Sequence, residues 1–158
     1  MRNFEKQPKD FIKLIQIIHI VLILGILLFV TYAAINTKAH LFFSYEEDRL
    51  YLLMAIIIAF AGNLSSKFLF LKLIKQIPAD ANLFQKATKY TVAHIFRIAL
   101  LEFPALMCII LVLISNNGFY FIIVGLLVGM ILVIFPTKNK FENELPLTHK
   151  EKSMLEKL

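Results

Sequence analysis

The chain has 158 residues, of which 59% are hydrophobic, with a mean hydropathy of +0.74 and a formal net charge of +6. That apolar share exceeds the roughly 45–50% of soluble domains, and the apolar runs leave no polar face, which argues against a soluble all-α bundle. Length fits one domain, and a single cysteine, Cys108, rules out an intrachain disulfide.

Arg2, Lys6, Lys9 and Lys13 precede a first apolar run at residues 14–34, whose only group that titrates near neutral pH is His19. The run has the ~17–25 residues of a spanning helix. It is too long for the ~7–15-residue apolar core of a signal peptide, and Thr31-Tyr-Ala-Ala34 is a poor cleavage site, so an uncleaved span is expected. The loop at 35–49 carries His40, Phe42, Phe43 and Tyr45 beside Glu46, Glu47 and Asp48. Its aromatic residues suit the outer interface.

A second span covers about 50–70. Helical composition continues to Ile77, where Pro78 ends it, and Asp80 is placed to cap the next helix. Leu83, Phe84, Ala87 and Tyr90 then lead into a third span at 91–114. Residues 50–77 as one helix measure about 42 Å, against a hydrocarbon core of about 30 Å. Helices 2 and 3 are therefore expected to extend into the cytoplasm as a hairpin, the alternative being an elbow lying on the membrane.

Ser115-Asn-Asn-Gly118 is a short external turn, with Asn117 or Gly118 suited to the left-handed C-cap. The fourth span, 119–135, contains Gly125-Leu-Leu-Val-Gly129, a small-xxx-small packing pattern, and Pro136-Thr137 closes it. In the tail, 137–158, Thr148-His-Lys-Glu151 is a capping box that opens a short C-terminal cytoplasmic helix with Leu155 and Leu158 as its apolar edge. The expected fold is an all-α integral membrane domain of four transmembrane helices.

Basic residues cluster before the first span, between the second and third, and after the fourth. The positive-inside rule then places both termini and the middle loop in the cytoplasm, in a bacterial inner membrane. The excess charge reads as topology and as attraction to anionic headgroups rather than to nucleic acid.

Arg97 and Glu102 are the charges within the third span, where an ionisable group is costly. Counted inward from the basic ends, His19, Asn63, Arg97 and His94 share one layer in the cytoplasmic half. Glu102 lies deeper, near the midplane, at the level of Gly25 and Gly125. Five residues separate Arg97 from Glu102, so they point about 140° apart and are offset by about 7.5 Å. They do not form an intrahelical pair. Pro104 frees the Leu100 carbonyl beside Glu102. In one reading Glu102 binds a proton or cation, approached past Arg97, His19 and Asn63. In the other, Glu102 locks helices together or anchors a partner, and Arg97 reaches the headgroups. Gly25, Gly125, Gly129 and Pro104 are the candidate helix-packing positions. No metal-ligand spacing, phosphate loop or nucleophile elbow occurs, so neither an enzyme nor a cofactor is expected.

Arg97-Ile-Ala-Leu-Leu-Glu102 and Phe135-Pro-Thr-Lys138 resemble a loose group of small four-span membrane proteins of Bacteroidetes-type bacteria, a group without an established function. The likeness covers roughly the second half of the chain. It implies the four-span fold, points to Arg97, Glu102 and Pro136, and carries no activity with it. The expected function is a non-enzymatic accessory or scaffold subunit of a larger inner-membrane complex, with other membrane subunits or further copies as partners. The alternative is a small homo-oligomeric proton- or ion-coupled transporter or channel using Glu102.

Overall fold

A computed structural model describes residues 8–156, which form six helices. They are α1 Pro8–Thr37, α2 Arg49–Lys75, α3 Leu83–Ser115, α4 Phe119–Val133, α5 Lys138–Glu144 and α6 His149–Glu156. At 30, 27 and 33 residues, α1, α2 and α3 run about 45, 40 and 50 Å, each longer than a hydrocarbon core. With only 15 residues, or about 22 Å, α4 reaches span length only if counted with α5, which meets it at 77°. Three to four apolar helices fit a multi-pass membrane protein. The fourth span was expected over about 119–135; α4 stops at Val133, because Pro136 removes a donor and Thr137 caps a new helix through its hydroxyl. A tail of two short helices thus replaces the single one expected.

The central helix is α3, packed against α1, α2 and α4. Of its most apolar stretch 39% is buried, against 17% in each of α1 and α2. The outward faces keep large apolar side chains, such as Leu28, Ile35, Phe68, Ile114 and Val133, at least 70% exposed. An unbroken jacket of this kind is stable in lipid rather than water. The bundle core gathers Ile26, Ala55, Leu101, Ala105, Cys108, Tyr120 and Leu127 around α3.

The two ends close differently. At one, Phe42 of the α1–α2 loop pairs with the α3–α4 turn: its amide donates to the Asn116 carbonyl at 3.1 Å, and its carbonyl accepts from Gly118 at 2.8 Å. Asn117 is buried there and donates to the Ser44 carbonyl at 2.6 Å. The left-handed residue is Asn116 (φ 60°), not Asn117 or Gly118 as expected. The α3 helix keeps its bonding one residue further, with the Asn116 amide reaching the Val112 carbonyl at 2.8 Å. At the opposite, basic end, residues 76–82 join α2 to α3. There the cap is Asn82, whose side chain accepts from the Gln85 amide at 2.8 Å, and not Asp80. Asn82 stands directly before the first helical turn, whereas Asp80 is two residues too early to reach its amides.

The tail folds back onto this end. The Thr148–Glu151 capping box forms as expected, each residue accepting from the other's amide, at 2.7 and 3.3 Å. Leu155 is buried with Phe141, Tyr90, Phe70 and Ile77 in a second apolar cluster, distinct from the bundle core. Leu158 lies outside the described residues.

Candidate functional site

Where the tail meets the bundle, aromatic and ionisable side chains converge from α1, α2, α3 and α5. Tyr90 and His94 are four residues apart on α3 and so lie on one face, with rings stacked at 5.5 Å and 16°. The His19 ring of α1 approaches His94 to 5.3 Å, and Phe70 of α2 meets His94 edge-on at 5.8 Å. Phe141 of α5 closes the cluster over Tyr90 at 5.0 Å. Both histidines are completely buried.

His19 Nε2 lies 3.1 Å from the Ile131 carbonyl. A carbonyl only accepts, so Nε2 carries the hydrogen; in the neutral ring Nδ1 is then the acceptor, without a partner among the described residues. Among the described residues neither nitrogen of His94 makes a well-formed hydrogen bond, and the nearest backbone to the ring is that of Ile134.

Glu144 of α5 ties the cluster to the charges. One carboxylate oxygen accepts from the Tyr90 hydroxyl at 2.7 Å, and the other faces Arg97 at 3.8 Å. The Arg97 guanidinium lies over the Phe70 ring at 4.4 Å, a cation–π contact. One turn before Tyr90 on α3, Lys86 is completely buried. Its ammonium donates to the Pro146 carbonyl at 2.9 Å and to both Glu151 oxygens at 3.1 and 2.9 Å. Partial burial works against ionisation of Glu151, but bonds from the Thr148 amide, Lys86 and the Thr148 hydroxyl outweigh it and hold its carboxyl below the ordinary value.

Of the expected polar layer, His19, His94 and Arg97 do come together, with Phe70 between Arg97 and His94. Asn63 stands apart, in an apolar groove of about 210 Å³ formed with Ile56, Phe60, Ile123 and Met130 of α2 and α4. Glu102 is half-buried and has no hydrogen bond or ion pair among the described residues. A methyl group added at Gly25, Gly125 or Gly129 would meet nothing within 4 Å, so none of the three marks a close helix approach within the protomer. Gly62 does. Its Cβ would stand 2.7 Å from the Leu100 carbonyl that Pro104 frees and 3.1 Å from Pro104 itself. Among the described residues no group of three or more His, Cys, Asp or Glu side chains is placed to hold a metal ion.

Comparison with protein-family models, curated proteins and solved structures finds no match. Function therefore rests on the geometry alone.

Sequence reasoning missed Tyr90, Lys86, Glu144 and Glu151 as members of the site. Lys86 shares a face with Tyr90 and Ala93, at spacings of four and seven, which placed a lysine in a buried stripe. That was the available signal.

Proposed function

We propose that this chain is a non-enzymatic accessory or scaffold subunit of a larger bacterial inner-membrane complex, with Glu102 as a contact to its partner. The observation that carries the reading is the mismatch between two charges on one helix. Arg97 has Glu144 opposite it, whereas Glu102, about 7.5 Å further along, has no partner among the described residues of the protomer. A carboxyl at membrane depth is costly unless something answers it, and a donor from a neighbouring subunit would do so. In this reading both termini and the α2–α3 hairpin are cytoplasmic, and the head built by α5, α6 and the hairpin is a second docking surface.

Half-exposure of Glu102 also favours a second reading, in which several copies form a proton- or ion-coupled pathway lined by this residue. Purification of the tagged protein from native membranes in mild detergent, with mass identification of what accompanies it, tests both. Stoichiometric foreign membrane proteins that are lost in Glu102→Gln support the subunit. A clean homo-oligomer whose flux in proteoliposomes disappears in Glu102→Gln supports the pathway instead. If Glu102→Gln keeps both its partners and its flux, Glu102 has neither role.

A further inference from the structure

We propose that the pocket between α2, α3 and α5 at the basic end binds the phosphate of one anionic phospholipid. This inference needs the chain to sit in a bilayer but not to be a subunit of anything. The pocket encloses about 400 Å³. Lys67, Phe70, Leu71, Ile74 and Lys75 form its α2 wall, at spacings of three, four, seven and eight that place them on one helix face. Arg97 and Glu144 face them.

The guanidinium is what asks for a ligand. Arg97 carries five N–H donors, and none of them makes a hydrogen bond among the described residues. Its buried Nε has no partner among those residues, and Glu144, at 3.8 Å, is beyond hydrogen-bond reach. The other Glu144 oxygen is already engaged by Tyr90. Buried donors are normally satisfied, and a planar fork of this kind matches phosphate oxygens in pairs. Lys67 and Lys75, exposed at the rim, have no ion pair among the described residues. Three cations against one carboxylate leave the pocket two charges positive, enough to attract a phosphodiester.

The apolar half of the pocket decides between a lipid and a soluble phosphate. Phe70, Leu71 and Ile74 give way along α2 to exposed Phe68 and Leu64, 70% and 53% accessible, so an acyl chain leaving the phosphate has an apolar track to follow. Lys67 and Lys75 bracket the last two turns of α2, where charges first interrupt its apolar run and where headgroups lie. A choline or ethanolamine group would bring its own cation against Lys67 and Lys75, so the site selects an anionic headgroup such as phosphatidylglycerol.

The test is native mass spectrometry, with a thermal-shift titration, on the full chain in a neutral maltoside detergent. The probes are dioctanoyl phosphatidylglycerol, dioctanoyl phosphatidylcholine and glycerol 3-phosphate. One phosphatidylglycerol should bind per chain and raise the melting temperature, and the other two should do neither at the same concentration. Lys67→Gln/Lys75→Gln, two exposed changes that leave the core untouched, should weaken binding about thirtyfold. Arg97→Gln should abolish it; if that variant fails to fold, the double lysine variant decides alone. Equal binding of phosphatidylcholine, binding of glycerol 3-phosphate as tight as the lipid, or full affinity in Lys67→Gln/Lys75→Gln would each overturn the proposal.

Discussion

Replacing Glu151 by glutamine releases the C-terminal helix if the tail is held as the geometry indicates. Glu151 takes both of its oxygens to Lys86 and one to the Thr148 amide and hydroxyl. The Lys86 side chain is 1% exposed and that of Glu151 14%, so the pair is dry on one side and wet at its edge. Removing one partner of a buried pair costs about 3–5 kcal/mol. Because glutamine retains an acceptor and Glu151 sits at the rim, the low end, about 3 kcal/mol, applies. The bundle need not unfold, since α6 can lift off and let Lys86 reach water. The undocked population should then rise about a hundredfold, at about 1.4 kcal/mol per factor of ten. Hydrogen exchange in detergent reads this directly: amides of 149–156 should accelerate by that factor while those in the middle of α3 stay protected. The sign of the pH effect comes from the lowered carboxyl. A depressed folded-state pKa contributes stability that is complete above the unfolded value, 4.5, and is lost as pH falls through the folded one. Wild-type docking should be flat at neutral pH and weaken below about pH 4.5, and Glu151→Gln should lack that acid limb. Unchanged exchange of 149–156 in Glu151→Gln would mean that the Lys86–Glu151 pair does not hold the tail. Lys86→Met/Glu151→Gln should restore protection, because no charge is left buried and glutamine keeps an acceptor for the Thr148 amide.

Gly62→Ala places a methyl group 2.7 Å from the Leu100 carbonyl, a backbone atom that cannot rotate away, so α2 must shift. A loss of about 1–3 kcal/mol is expected, seen as a lower melting temperature in detergent; an unchanged value would mean that α2 and α3 are not in close contact there. Asn117→Ala removes the bond to Ser44 and the side-chain acceptor for the Phe119 amide, at 2.6 and 3.1 Å. It should cost about 1–3 kcal/mol and speed exchange of the Phe42 and Gly118 amides, which join the loop to the turn. His94→Phe keeps the ring stack on Tyr90 and deletes two nitrogens that make no well-formed hydrogen bond among the described residues. It should be neutral or stabilising by about 1 kcal/mol, and a clear drop in melting temperature would show that those nitrogens have a partner.

Properties that a short stretch of chain sets by itself were readable from the sequence. Apolar length gave the three long helices, and the capping box at Thr148 and Glu151 formed as written, because its bonds join residues three apart. The cap of α3 moved from Asp80 to Asn82 because two residues with an acceptor oxygen at the same reach stand in one turn, and only the backbone path selects between them. The α5 helix went unseen because its 7 residues carry no apolar stripe beyond the buried Phe141. What joins Tyr90 to Glu144 and Lys86 to Glu151 spans 54 and 65 residues, and no local pattern encodes such distances. Glycine was half legible: Gly125 and Gly129 had the packing pattern, yet Gly62 meets the neighbour, because Pro104 lies opposite it on another helix.

The tail therefore answers two of the charges that α3 carries inward. Lys86 is met by Glu151 and Arg97 by Glu144, both from beyond residue 137, and the apolar cluster beneath them is completed by Phe141 and Leu155 of the same segment. Among the described residues nothing in that segment pairs with Glu102, which lies about 7.5 Å deeper than Arg97 and on a different side of the helix. Truncation after Thr137 should accordingly uncover Lys86 and Arg97 and loosen the basic end of α3, yet leave the surroundings of Glu102 as they are. A partner held through Glu102 survives that truncation and is lost in Glu102→Gln. A partner held through the head shows the reverse pattern. Loss in both variants would require one partner to touch two surfaces at different levels of α3, and the two changes then become a ruler for its size.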